Sequence, residues 1–218
     1  MNRRHNPARP QRPAAKSGIG EIPDTRYIHG VSGEPKKSKP PTRLKGRLLL
    51  ADPTLCDGMF DRSVVLITHH TPADGAHGVI LNHPADTRVG DLLSDPEFEP
   101  LRALRVHRGG PVSTNQLCFA SFSWQPSRGL RHHISLPLEK AIAHARRPGT
   151  LVRAFAGYSG WAAGQLEGEL ERQSWHVVKP GRDLLGCEHD RPLWADLMAR
   201  ISPFHRILAA ASSRPWCN

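Results

Sequence analysis

The 218-residue chain has no apolar run near the ~18 residues needed to span a bilayer as a helix, nor an apolar leader, so neither membrane residence nor secretion is expected. It has only four cysteines, at 56, 118, 187 and 217, with no Cys-x-x-Cys pair. The common structural metal sites need close paired ligands; Cys187-x-His189 is the nearest approach and has no second pair, so no metal or other cofactor is expected. Two disulfides are possible in principle, but without signs of export the thiols are expected to be reduced. Gly157-Tyr158-Ser159-Gly160 lacks the Gly-x-Ser-x-Gly spacing of a nucleophile elbow, and there is no Walker-type phosphate loop or Gly-x-Gly-x-x-Gly after a strand. These absences leave no complete catalytic set.

Charge is present in quantity but unevenly placed. Residues 1–47 carry 12 Lys/Arg against 3 Asp/Glu, net +9, with seven prolines and five glycines; residues 48–218 carry 18 against 17, net +1. The high pI is therefore a property of the tail. Residues 1–45 read as a disordered basic arm, because so few apolar groups cannot offset chain entropy. Such an arm is either a solubilising extension or a weak nucleic-acid contact acting by counterion release through Arg3, Arg4, Arg9, Arg12, Lys36, Lys37 and Lys39. The same arginines would suit an import peptide, although the prolines oppose an amphipathic helix.

From Gly46 onward the chain is a folded unit ending near residue 210, followed by a short tail at 211–218. Apolar strands are expected at Gly46–Ala51, Ser63–Thr68 and Gly78–Asn82, with hairpin-loop chemistry at His70–His77. Further strands are expected at Leu117–Phe122, His133–Leu136, Leu151–Phe155 and Trp175–Val178, and helices at Leu138–Arg147 and Pro192–Ala199. Strands cluster before helices appear and do not alternate with them, which predicts an α+β single domain.

The densest stretch is Gly157-Tyr158-Ser159-Gly160-Trp161-Ala162-Ala163-Gly164-Gln165-Leu166-Glu167. It reads as a tight aromatic turn opening a short helix, with Gln165, Glu169 and Arg172 spaced for side-chain pairing. Gly109-Gly110-Pro111 is a second glycine turn, either a backbone N–H nest for an anion or a turn the fold demands. Were the two turns to meet, Gly109, Gly110, Tyr158, Trp161, Gln165 and Glu167, with Arg62 and Asn82, would line a small polar-aromatic ligand pocket. Eleven of the 13 histidines lie beyond residue 47. The doublets 69–70 and 132–133 should point to opposite strand faces, while His69, His77 and His83 could converge across the first hairpin.

Taken together, Leu50-Ala51-Asp52-Pro53-x-Leu55, Phe60-Asp61-Arg62-Ser63-Val64-Val65-Leu66-Ile67, Gly78-Val79-Ile80-Leu81-Asn82-His83-Pro84, Gly109-Gly110-Pro111-Val112, Gly164-Gln165-Leu166-Glu167 and Trp175 resemble the YqgE/AlgH family of bacterial proteins, from about Gly46 to about Ala210. The resemblance implies one domain whose mixed, branched β-sheet curls into a pseudo-barrel with helices packed against it. It also implies a cytoplasmic protein of a family often labelled transcriptional regulators, with no agreed catalytic activity. This chain departs from the family pattern at Asp52, Ser159 and Gly186, and the basic tail is an addition. Two functional expectations follow. One is a non-enzymatic regulatory or binding protein, monomeric or a small homo-oligomer, with a protein partner or small ligand. The alternative is a small-molecule or anion sensor, or an enzyme, using the pocket between the Gly109–Pro111 and Gly157–Glu167 segments.

Overall fold

The computed structural model describes residues 43–56, 58–185 and 192–210, all within one compact unit. The arm residues Arg3, Arg4, Arg9, Arg12, Lys36, Lys37 and Lys39, the position Gly186 and the tail 211–218 lie outside the described residues.

Among the described residues nine strands form one branched, mixed sheet. β1 (Leu48–Ala51), β2 (Val64–Thr71) and β3 (Gly75–Ile80) pair antiparallel in succession, and β9 (Trp175–Val178) closes the outer side of β1. Their unbroken apolar runs have a simple cause: the central strands are covered on both faces. Leu48, Leu50, Val64, Leu66, Val79 and Leu81 face one core with Trp194, while Leu49, Val65, Ile67 and Ile80 face another with Trp161 and Trp175. Burying each such side chain contributes about 1.5–3 kcal/mol. Trp194, on α4 (Pro192–Ala199), also donates its indole N–H to Ala51 O at 2.8 Å, fixing that helix to β1.

The sheet branches at β8 (Thr150–Trp161). At residues 154–156 this strand has β5 (Arg105–Arg108) running parallel along one edge and β6 (Val112–Gln125) antiparallel along the other. Further along, residues 159–161 pair with β3. Among the described residues β7 (Gly129–Leu136) pairs only with β6, and β4 (Pro84–Arg88) pairs with β5. The result is a curled half-barrel. A third core, with Val89 of the short helix α1 (Val89–Leu92), Leu101, Phe119 and Ala154, lies under α2 (Leu138–Ala145).

The α+β expectation holds, with local corrections. Gly157–Trp161 is not a turn but the end of β8; its glycines serve a chain crossing, described below. β2 runs on to Thr71 and β3 begins at Gly75, so the hairpin loop is shorter than His70–His77. β6 starts at Val112 rather than Leu117, because a bulge between those residues absorbs the irregular segment. Sequence patterning also missed β4 and α5 (Pro203–Ala210), whose apolar residues Phe204 and Ile207 are exposed. No described helix is long and apolar enough to cross a membrane.

Candidate functional site

Leaving β5 on one edge of β8, the chain must reach the opposite edge by Val112, which pairs with Tyr158. It therefore crosses the face of β8 within Gly109–Pro111. Nothing larger than glycine fits at this crossing. A Cβ on Gly109 would overlap Gly157 O, and one on Gly110 would overlap the Tyr158 carbonyl and the Ser159 amide. Gly157 has φ 72°, and a Cβ there would come within 2.7 Å of Gly110 O and Val112 O. Gly109 N donates to Ala156 O at 2.8 Å, and Gly109 O accepts from Ile80 N at 2.9 Å and Ser159 Oγ at 3.1 Å.

The two glycine segments therefore do meet, backbone to backbone. A cavity opens beside the crossing, with Gly157 in its wall. It measures about 340 Å³ and is lined by Thr68, His77, Ser113, Gln116, Cys118 and Tyr158 among others. Tyr158, 36 % exposed, meets the His77 ring edge-on at 5.5 Å, and His77 lies 5.9 Å from His69, its cross-strand partner. Thr68 Oγ1 donates to His77 O at 3.1 Å. Burial pushes the Cys118 thiol up, only partly offset by a hydrogen bond from the Ser135 backbone. The lining is mixed, with Val79, Ile134 and Cys118 beside the polar groups of Thr68, Ser113 and Gln116 and the His77 and Tyr158 rings, suited to a small guest with a few polar groups.

The other expected pocket residues lie elsewhere, each held by an internal partner. Glu169, on α3 (Gln165–Glu171), gathers a clamp: its Oε2 accepts the indole N–H groups of Trp161 and Trp175, each at 2.8 Å, and its Oε1 accepts Gln165 Nε2 at 2.9 Å. Gln165 Oε1 accepts Ala162 N at 3.0 Å, and Phe60 packs on both indoles. Glu167 binds the buried His70 at 2.7 Å; burial works to raise its pKa, but that hydrogen bond, one from its own backbone N–H and the His70 charge together outweigh burial and hold the carboxyl below its usual range. Arg62 and Asn82 are not among the residues lining the cavity. The 1 % exposed Asn82 clips two segments, its Oδ1 accepting Val64 N at 2.7 Å and its Nδ2 donating to Arg62 O at 2.8 Å. The Arg62 guanidinium stands 5.4 Å over the Trp194 ring.

Sequence reasoning missed two polar clusters. On α2, His144 Nδ1 is 2.7 Å from Ser121 Oγ, with His133 edge-on at 5.5 Å. Ser121 is 1 % exposed and the third member is an imidazole rather than a carboxylate, so this is not a nucleophile–base–acid set. Elsewhere His176 Nε2 bonds Asp52 Oδ2 at 2.8 Å, and His205 packs edge-on against His176 at 4.7 Å. Burial raises the Asp52 pKa, but hydrogen bonds from His176 and Thr54 outweigh it and hold the carboxyl low. Ser202 accepts His205 N at 3.3 Å as a cap to α5. The doublet rule did succeed at 69–70, where His70 turns in to Glu167 while His69 faces His77; His83 follows β3, and its carbonyl accepts Arg108 N at 2.8 Å. No three His, Cys, Asp or Glu among the described residues are placed to hold a metal. Cys56 is disulfide-bonded, which overturns the expectation of reduced thiols at that position.

Residues 48–204 match the family model described as AlgH-like, DUF179. The chain belongs to the AlgH-like family. Its AlgH-like domain is 34 % identical over 169 residues to a UPF0301 protein of Streptomyces coelicolor, covering 72 % of this chain and 86 % of that one. It is 38 % identical over 170 residues to a UPF0301 protein of Mycobacterium avium, covering 71 % and 81 %. Among solved structures, a Corynebacterium diphtheriae protein superposes with TM-score 0.61 at 25 % identity, covering 78 % of this chain and 93 % of its own. The AlgH protein of Pseudomonas aeruginosa shares the fold, with TM-score 0.59 at 24 % identity, covering 82 % and 99 %. The match spans the cavity, the glycine crossing and the Glu169 clamp alike.

Proposed function

We propose that the protein acts by binding rather than catalysis, as a cytoplasmic regulatory or binding protein that seats a small polar or anionic ligand in the cavity beside the glycine crossing. The carrying observation is the His77–Tyr158 pair at the rim of that 340 Å³ space, next to hydroxyl and amide groups of Thr68, Ser113 and Gln116. The motif residues that resemble catalytic groups support the same reading, since Glu167, Glu169, Gln165 and Asn82 already serve partners within the fold.

A thermal-shift panel of nucleotides, phosphates, carboxylates and sugars tests this. A true ligand at about 100 times its Kd stabilises by about 2.7 kcal/mol. The shift should vanish in Tyr158→Ala and persist in Gln165→Ala. A flat panel contradicts the reading, as does turnover of any bound compound.

A further inference from the structure

The near-neutral charge of residues 48–218 conceals a separation. Residues 128–153 carry six Lys/Arg against one Asp/Glu, whereas the remainder of 48–218 carries 12 against 16. The segment is thus net +5 and its surroundings net −4. Arg153 is internal, donating to Leu81 O at 2.6 Å. The other five, Arg128, Arg131, Lys140, Arg146 and Arg147, are exposed.

Topology gathers these charges. β7 folds back on β6, with Arg131 opposite Ser123 and His133 opposite Ser121, so both lie on the face where Ser121 meets His144 of α2. His144 is held below its ordinary pKa by burial and then by the charges of Arg147, His133 and Lys140. His132 is lowered by burial and by Lys45, His133 and Arg131. His133 acts on both rings, and its own ring lies 5.5 Å from that of His144, so the edge of β7 carrying Arg131 meets α2 close to Arg146 and Arg147. Among the described residues, no ion pair joins any of the five exposed cations to a carboxylate.

We infer that the β7 edge and the C-terminal end of α2 form a docking surface for the phosphate backbone of a nucleic acid. Edge-strand protection accounts for Arg131 alone, and the helix dipole accounts for Arg146 and Arg147 alone; neither explains one surface with no answering acid. Four of the five exposed cations are arginines, whose planar fork suits phosphate oxygens. An acidic protein partner fits less well, because protein interfaces have an apolar centre. The exposed large apolar residues, Leu92, Val112, Tyr158, Phe204 and Ile207, all lie outside this segment. The surface is independent of the cavity proposed above and places contact on the folded domain rather than the basic arm.

The test uses the full chain and a fluorescent mixed-sequence duplex DNA, with affinity measured from about 50 to 200 mM salt. The triple variant R131E/R146E/R147E should lose more than about tenfold in affinity, and its slope of log K against log salt should fall by about 3. R131K/R146K/R147K should keep most of the affinity, and R3Q/R4Q/R9Q/R12Q should keep the slope within about one contact of the parent. Melting temperature checks that each variant folds, and Lys140→Gln with Arg147→Gln replaces the triple variant should it not. Parent-like binding by R131E/R146E/R147E, or by the Lys140→Gln, Arg147→Gln replacement, overturns the proposal, as does a loss confined to the arm variant. Competition by polyglutamate or anionic vesicles as strong as by DNA, at equal charge, also overturns it in favour of an acidic protein or a membrane surface.

Discussion

The Gly157–Trp175 stretch and the β6–β7–α2 corner are neighbours along β8, yet they use polar residues in opposite ways. In the first, Trp161, Trp175 and Gln165 all direct donors at the Glu169 carboxylate, and Gly157 lets Gly109 and Gly110 cross its backbone. In the second, five exposed cations stand without a carboxylate partner among the described residues. The part of the motif-rich stretch from Trp161 to Trp175 is thus closed on itself, and the segment with little motif is open to solvent. Recognition surfaces keep polar capacity free; scaffolds use it internally.

The sharpest way to break this comparison is at the crossing. Gly110→Ala or Gly157→Ala should destabilise by more than about 4 kcal/mol in urea unfolding, since a Cβ meets backbone that cannot yield. A mild effect would mean the segments are separable and a space can open between them. Next, Glu169→Ala leaves two indole N–H groups without an acceptor and should cost about 2–3 kcal/mol, read as a shift in urea midpoint with an unchanged m-value.

Acidification gives a smaller effect. Asp52 and Glu167 have lowered folded pKa values, so their stabilisation is present above their usual 3.8 and 4.5 and is lost as pH falls through the folded values. His205 is lowered by burial and by His176, against the opposing pull of Asp52, so it favours the neutral ring in the fold. Its contribution is complete above the usual 6.5 and declines as pH falls below it, and His205→Gln should flatten the slope of stability between about pH 5 and 7. Smallest of all, R131E should change stability by no more than about 0.5 kcal/mol, because the residue is exposed and no carboxylate answers it.

Much of the architecture was legible because it follows from apolar periodicity. Leu48–Leu50 and Val64–Ile67 announce strands covered on two faces. The spacing of Gln165 and Glu169 announced their pairing on α3. The glycines were legible as special positions, but whether they bend a chain or let two chains touch depends on a partner 48 residues away, since Gly109 meets Gly157. Local sequence carries no such information. The cavity escaped for the same reason: Thr68, Gln116 and Tyr158 come from three separate strands with no common motif. The basic surface escaped because a domain-wide charge sum cancels it against acids elsewhere.

Glu169→Ala and R131E/R146E/R147E, measured side by side for unfolding free energy and for DNA affinity per folded molecule, test the division between scaffold and surface most directly. The expected result is a crossed pair: the first loses stability and keeps its affinity, the second keeps stability and loses affinity. A Glu169→Ala protein of full stability that no longer binds would contradict the account.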